Sequence, residues 1–294
     1  MFPFFLPPEV NSLTEYTSIN LAKNIKRSLI STPFYPPGIQ TAYTCQGNDS
    51  PPILFLHGFD SSLLEFSRII PFISPQYQTW AIDLLGFGFT QRIPEINYNP
   101  ETLKSHLYYT WKTLINRPII LVGTSMGGAA AIDFALTYPE VVQKLVLIDS
   151  VGYSGSFPIG MLLIPPIDSI SIEFWRQRKQ QALNFAPFLW INASQIEAIK
   201  FTSLHLKMPY WQDAMISFMK SGGYGDIAAR ISQIKHPTLI LWGDKDETLG
   251  TKDAILFHQN IANSQLIWMK DCGHVPHLEQ PERTAKAILE FLSS

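Results

Sequence analysis

The residues best placed to do chemistry lie in the run Gly123-Thr124-Ser125-Met126-Gly127-Gly128. It follows an apolar stretch, residues 119–122, and leads into an alanine-rich one beginning at Ala129. A strand that passes straight into a helix turns so sharply that only small side chains fit before and after the apex. Gly123 and Gly127 meet that need, and Gly128 lets the helix lie close to the sheet. Such a turn lifts the serine hydroxyl clear of the sheet and aims the Met126 N–H at the reacting oxygen. The chemistry this predicts is nucleophilic attack by Ser125 through a covalent intermediate.

A serine hydroxyl is a poor nucleophile until a base takes its proton. The expected base is His274, in Cys272-Gly273-His274-Val275-Pro276-His277, after the apolar run 265–269 near the chain end. Gly273 favours a tight loop that presents the imidazole. His277 is the alternative, expected instead to brace the loop by hydrogen bonds. An acid should fix the imidazole tautomer and stabilise the imidazolium. Asp246 is the first choice, in Gly243-Asp244-Lys245-Asp246-Glu247 after the run 238–242. Asp244 reads as a turn-former beside glycine, and Asp149, after the run 145–148, is a further candidate. The oxyanion needs two backbone donors. These are expected from Met126 and from Phe59, in His57-Gly58-Phe59-Asp60 after the run 53–56. Gly58 would allow an unusual backbone turn there. His57 would hold the loop by hydrogen bonding, and Asp60 would either pair with it or face the pocket.

These groups must be positioned by six short apolar runs: 53–56, 79–82, 119–122, 145–148, 238–242 and 265–269. Runs of that kind fit strands buried on both faces. Helical patterns alternate with them at about 63–73, 101–115, 126–138, 252–261 and 281–292. Strand and helix in alternation predict an α/β fold, a doubly wound, mostly parallel sheet flanked by helices. Residues 1–35 are proline-spiced and read as an N-terminal arm. Residues 36–150 and 237–294 read as the core. Residues 151–236 break the alternation and are rich in large apolar residues, among them Phe157, Met161, Phe174, Trp175, Phe188, Trp190, Trp211 and Phe218. They are expected to form a helical lid over the carboxyl edge of the sheet, where open α/β sheets bind ligands.

Composition narrows the partners. With 22 Lys+Arg against 24 Asp+Glu and a net charge of -2, nothing attracts a polyanion, so nucleic acid is not expected. Charged residues make up 16%, against a usual share of about 25%. Contact with something apolar would explain that, and so would a large core. The two cysteines match neither a metal spacing nor a disulfide framework, which suits a reducing compartment. The start, Met1-Phe2-Pro3-Phe4-Phe5-Leu6, has no basic flank and is broken by proline. The expectation is a cytoplasmic chain without signal peptide or membrane span, leaving open peripheral contact with an internal membrane.

Together these blocks resemble the α/β-hydrolase superfamily in its lidded branch. The resemblance runs through 53–59, Asp83-Leu84-Leu85-Gly86-Phe87-Gly88, 123–128, 241–246 and 273–282. Serine, acid and histidine also follow in the chain order of that fold. Phe59-Asp60-Ser61-Ser62 and Ser221-Gly222-Gly223-Tyr224 are similar to plastid-type and cyanobacterial members such as chlorophyll-dephytylase-like esterases. Thr90 stands where a serine is frequent, and the lid carries no family signature. The resemblance implies an esterase, lipase, thioesterase or carbon–carbon-bond hydrolase, with neither metal nor organic cofactor, acting on a small apolar ester-like substrate. Acyl transfer, cofactor-free haloperoxidase-like chemistry and a receptor that keeps the fold are the alternatives. A serine rather than an aspartate nucleophile argues against haloalkane dehalogenases and epoxide hydrolases.

Overall fold

The computed structural model describes residues 1–48, 50–155, 157, 164–185 and 192–293. Met161, Phe188, Trp190 and the rest of 158–163 lie outside them. The strands are β1 (Lys26–Thr32), β2 (Tyr35–Gln46), β3 (Pro52–Leu56), β4 (Gln78–Ile82), β5 (Ile119–Thr124), β6 (Val142–Ile148), β7 (Thr238–Gly243) and β8 (Ser264–Met269). They form one eight-stranded sheet in the order β1-β2-β4-β3-β5-β6-β7-β8. β1 and β2, and β2 and β4, pair antiparallel; every other pair is parallel.

The helices are α1 (Tyr16–Lys23), α2 (Ile70–Ile73), α3 (Pro100–Leu114), α4 (Met126–Thr137), α5 (Ile167–Phe185), α6 (Ala193–Ser203), α7 (Trp211–Lys220), α8 (Lys252–Asn260), α9 (Pro276–Glu279) and α10 (Pro281–Ser293). Because successive strand residues point to opposite faces, each apolar run feeds two cores. Leu54, Leu56, Leu121, Leu145, Leu147 and Ile240 pack with α3, α4 and α8 on one face. Ile53, Phe55, Ile120, Val122, Val146 and Leu239 pack with α1, α2 and α10 on the other. Continuous burial of β3, β5 and β7 explains why they read as unbroken apolar runs.

The insertion between β6 and β7 holds α5, α6 and α7. Trp211 and Phe218 join the first core, and Phe201 and Leu204 the second.

The first 35 residues differ from the irregular arm expected. They supply α1 and the edge strand β1, so the sheet begins at Lys26 rather than after residue 35. An edge strand is wetted by solvent and lacks the apolar run that marks a buried one; in β1 only Ile30 and Thr32 are buried. Of the apolar residues at the start, Phe4 is exposed and Leu6 is buried, while Phe2 and Phe5 are half-buried against the second core. The helix expected over 63–73 is two pieces, a 3-10 turn Leu63–Phe66 and the short α2. Pro71 lacks the N–H that a continuous helix would need there.

Candidate active site

β5 ends at Thr124 and α4 begins at Met126, so Ser125 makes the whole turn, with φ 52° and ψ −122°. That left-handed angle is strained for a residue with a side chain. Backbone bonds hold it: Ser125 N–H donates to the Ile148 carbonyl at 3.0 Å, and its own carbonyl accepts from Gly128 at 3.0 Å and Val151 at 2.9 Å. A Cβ at Gly123 would collide with the Gly127 carbonyl, and one at Gly127 with the Leu56 carbonyl. Close backbone approach, not an unusual φ, is what requires glycine at both.

The loops after β7 and β8 bring the other two candidates in. His274 Nε2 lies 3.1 Å from Ser125 Oγ, and His274 Nδ1 lies 2.9 Å from Asp246 Oδ2. Asp246 Oδ1 accepts from the N–H groups of Thr248 and Leu249, at 2.7 and 3.1 Å. Burial would raise the Asp246 carboxyl, but its bonds to His274 and to these amides hold it below its ordinary value. Asp244 is exposed and accepts a long 3.3 Å bond from the Cys272 N–H.

Asp149 lies beside this chain of bonds. Its Oδ1 accepts from Gly243 N–H at 3.0 Å, and its buried Oδ2 has no hydrogen-bond partner among the described residues. Burial, reinforced by the charge of Asp246 and opposed by the Gly243 amide, pushes its carboxyl up to about 9. Donor atoms of Asp149, Asp246 and His274 come within 4.8 Å of one another, close enough on distance alone to share a cation. Both nitrogens of His274 are, however, already turned to Ser125 and Asp246. Hydrogen bonds thus account for the placing of Asp246 and His274.

Ser125, Phe59 and Met126 line one cavity of about 250 Å³, closed by Val151, Phe157, Phe218, Tyr224 and Leu249. Met126 opens α4, where backbone N–H groups have no partner within the helix and the dipole is positive. Gly58 does not use the backbone freedom expected of it; the left-handed residue of its loop is Asp60, at φ 49°. What Gly58 provides is room, since a Cβ there would sit 3.3 Å from Ser125 Cβ.

The supports of that loop were only partly foreseen. His57 Nδ1 donates to the Gly58 carbonyl at 2.8 Å, while its Nε2 accepts from Leu84 N–H at 3.1 Å. Gly58 N–H donates to the buried Glu65 at 3.1 Å, a support the sequence reading missed. His277 is fully buried against Phe66, and its Nε2 stands 3.6 Å from Glu65, beyond hydrogen-bond reach. It braces the loop by packing on Phe66 and by facing Glu65 at ion-pair distance, where, against burial, its imidazole helps hold that carboxyl below its ordinary value. Asp60 neither pairs with His57 nor stands free in the pocket; it binds Trp175, Lys179, His205 and Trp211 of the insertion.

A left-handed serine between a strand and a helix, at the carboxyl edge of a mostly parallel sheet, is how the alpha/beta hydrolase class is recognised. The model of the alpha/beta hydrolase family matches residues 53–287. An Arabidopsis thaliana relative, alpha/beta hydrolase domain-containing protein VTE7, is 35% identical over 99% of this chain and 91% of its own length. Human monoacylglycerol lipase ABHD6 is 26% identical over 87% of this chain and 80% of its own. The solved esterase from Thermogutta terrifontis superposes with a TM-score of 0.75 at 24% identity, covering 91% of this chain and 98% of that one, which bears on fold alone. This chain belongs to the alpha/beta hydrolase family and is an enzyme of the hydrolase kind. Among the described residues, no helix is long and apolar enough to cross a membrane.

Proposed function

We propose that the protein hydrolyses carboxylic esters of largely apolar molecules, with Ser125, His274 and Asp246 as a catalytic triad. The observation that carries the reading is the continuous chain of bonds, 3.1 Å from Ser125 to His274 and 2.9 Å from His274 to Asp246. Neutral His274 takes the Ser125 proton as Oγ bonds to the ester carbon. The carbonyl oxygen becomes an oxyanion and receives the N–H groups of Phe59 and Met126. Collapse breaks the bond to the alcohol oxygen, which leaves with the proton from His274. Water then attacks the acyl-enzyme, His274 takes its proton, and the acid departs as Ser125 recovers a hydrogen. Asp246 stabilises the imidazolium without taking the proton.

The insertion serves in this reading as a lid, and the cavity walls favour an apolar group. The lipase among the relatives supports that preference. The test is a series of chromogenic acetate, octanoate and palmitate esters. At about 0.8 kcal/mol per buried methylene, kcat/KM should rise more than about tenfold from acetate to octanoate. A flat series with turnover would remove the apolar preference and keep ester hydrolysis. Absence of turnover with every ester would remove the function.

A further inference from the structure

Asp60 is buried to 2% exposure, and it follows Phe59 directly in the chain. Its carboxylate is filled entirely by the insertion. Oδ1 accepts from His205 Nε2 at 2.8 Å and Trp211 Nε1 at 3.0 Å. Oδ2 accepts from Trp175 Nε1 at 2.8 Å and from Lys179 Nζ at 2.5 Å, and Lys179 also reaches the Asp60 carbonyl at 3.0 Å. The two pairs differ in surroundings. His205 and Trp211 are buried, whereas Trp175 is 46% exposed and the Lys179 side chain 25% exposed. Trp175 and Lys179 lie four residues apart on α5, hence on one face.

Charge fits this arrangement. Burial alone would raise the Asp60 carboxyl, but Lys179 and His205 hold it far below its ordinary value. Burial lowers the His205 imidazole to about 4, against the opposing pull of Asp60. The cavity beside Ser125 holds about 250 Å³, below the usual range for ligand sites of about 300–1,000 Å³. Movement of the insertion would enlarge the space beside Phe157 and Phe218 for a long acyl chain.

We propose that Asp60 is a positioning residue, a latch joining the insertion to the oxyanion loop: α5 releases Trp175 and Lys179 from Oδ2 to admit bulky substrate, while His205 and Trp211 keep Oδ1 and the Phe59 amide in place. The kinetic part rests on the ester-hydrolase reading; the structural part does not. Breaking the outer pair should loosen α5 alone, and removing the carboxylate charge should disturb the amide as well.

The experiment compares wild type, W175F/K179M, K179R and Asp60→Asn. In W175F/K179M, amide hydrogen exchange across 167–185 should speed by about tenfold or more, with 119–137 unchanged. Its ratio of kcat/KM for palmitate over butyrate esters should rise by about fivefold, and K179R should stay near wild type. Asp60→Asn should lower kcat on butyrate by about tenfold or more with KM nearly unchanged, since a misplaced oxyanion donor acts on the transition state. Unchanged exchange in W175F/K179M, or an unchanged chain-length ratio, overturns the latch. Wild-type kcat in a folded Asp60→Asn overturns the link to Phe59. Should Asp60→Asn fail to fold, the α5 variants still decide the latch. If no ester is turned over at all but exchange in α5 still speeds, the function falls and the structural latch stands.

Discussion

Ser125 is held at a backbone angle that few residues with side chains adopt, and two aspartates sit behind the imidazole that faces it. Their environments push them apart. Asp246 is held low by His274 and two amides, whereas Asp149 is raised by burial and by Asp246 itself. Asp246→Asn should therefore lower kcat by about 10³–10⁴, because the amide favours the wrong imidazole tautomer. Asp149→Asn should leave kcat within about fivefold of wild type, and so should Asp244→Asn. A severe loss in Asp149→Asn instead would move the acid to that position. Asp149 also carries a pH signature. Unfolded, it ionises near its ordinary value of about 3.9; folded, it keeps its proton up to about 9. The unfolded state alone loses a proton between those values, so this group costs stability progressively as pH rises through that window. Asp149→Asn should melt higher than wild type at pH 8, with the gain vanishing near pH 4; a variant less stable at pH 8 contradicts the assignment. The three triad candidates could be picked out because each follows an apolar strand and carries local glycine or turn signals. The partners of Asp60 could not, since they lie 115 to 151 residues away and no local pattern announces them.

At the scale of elements, the alternation of apolar runs and helical patterns made the parallel part of the sheet legible, because buried parallel strands leave unbroken apolar runs. β1 and α1 escaped, being an edge strand and a helix fixed by a distant group. That group is Glu197 of α6, only 1% exposed. It accepts from the N–H groups of Thr14 and Glu15 and from the hydroxyls of Thr14 and Ser18, at 2.5–3.0 Å. Arg68 fastens the same corner through Glu15 at 2.8 Å and the Leu278 carbonyl at 3.0 Å. Glu197→Ala would leave several buried donors unpaired, at about 1–3 kcal/mol each if water cannot replace the carboxylate. Thermal unfolding should fall by several degrees, and protease should cut the first 25 residues faster. An unchanged melting temperature with unchanged cutting would mean that this carboxylate contributes nothing to holding α1. Gly127→Ala belongs to the same scale: its Cβ would strike the Leu56 carbonyl, so the turn must open and both folding yield and activity should drop.

For the whole molecule, near-neutral charge and a scarcity of charged residues were legible as bulk properties, but not where the apolar surface would go. Part of it fills the two cores, and part lines the cavity beside Ser125 through Phe157, Phe218 and Leu249. Some stays outside, on Ile167, Ile170 and Phe174 of α5. The sheet gathers the ends of β3, β5, β6, β7 and β8 at one edge, which is why residues from 57 to 274 meet there. The account stands on Ser125 being the group that takes the acyl chain. The most direct measurement is stoichiometric labelling with a fluorophosphonate, mapped by peptide mass spectrometry and set beside ester turnover by Ser125→Ala. The account predicts one phosphonate per chain on Ser125, no labelling of the alanine variant, and a kcat lower by about 10³ or more in a folded protein. Labelling at another residue, or near wild-type turnover by Ser125→Ala, would contradict it.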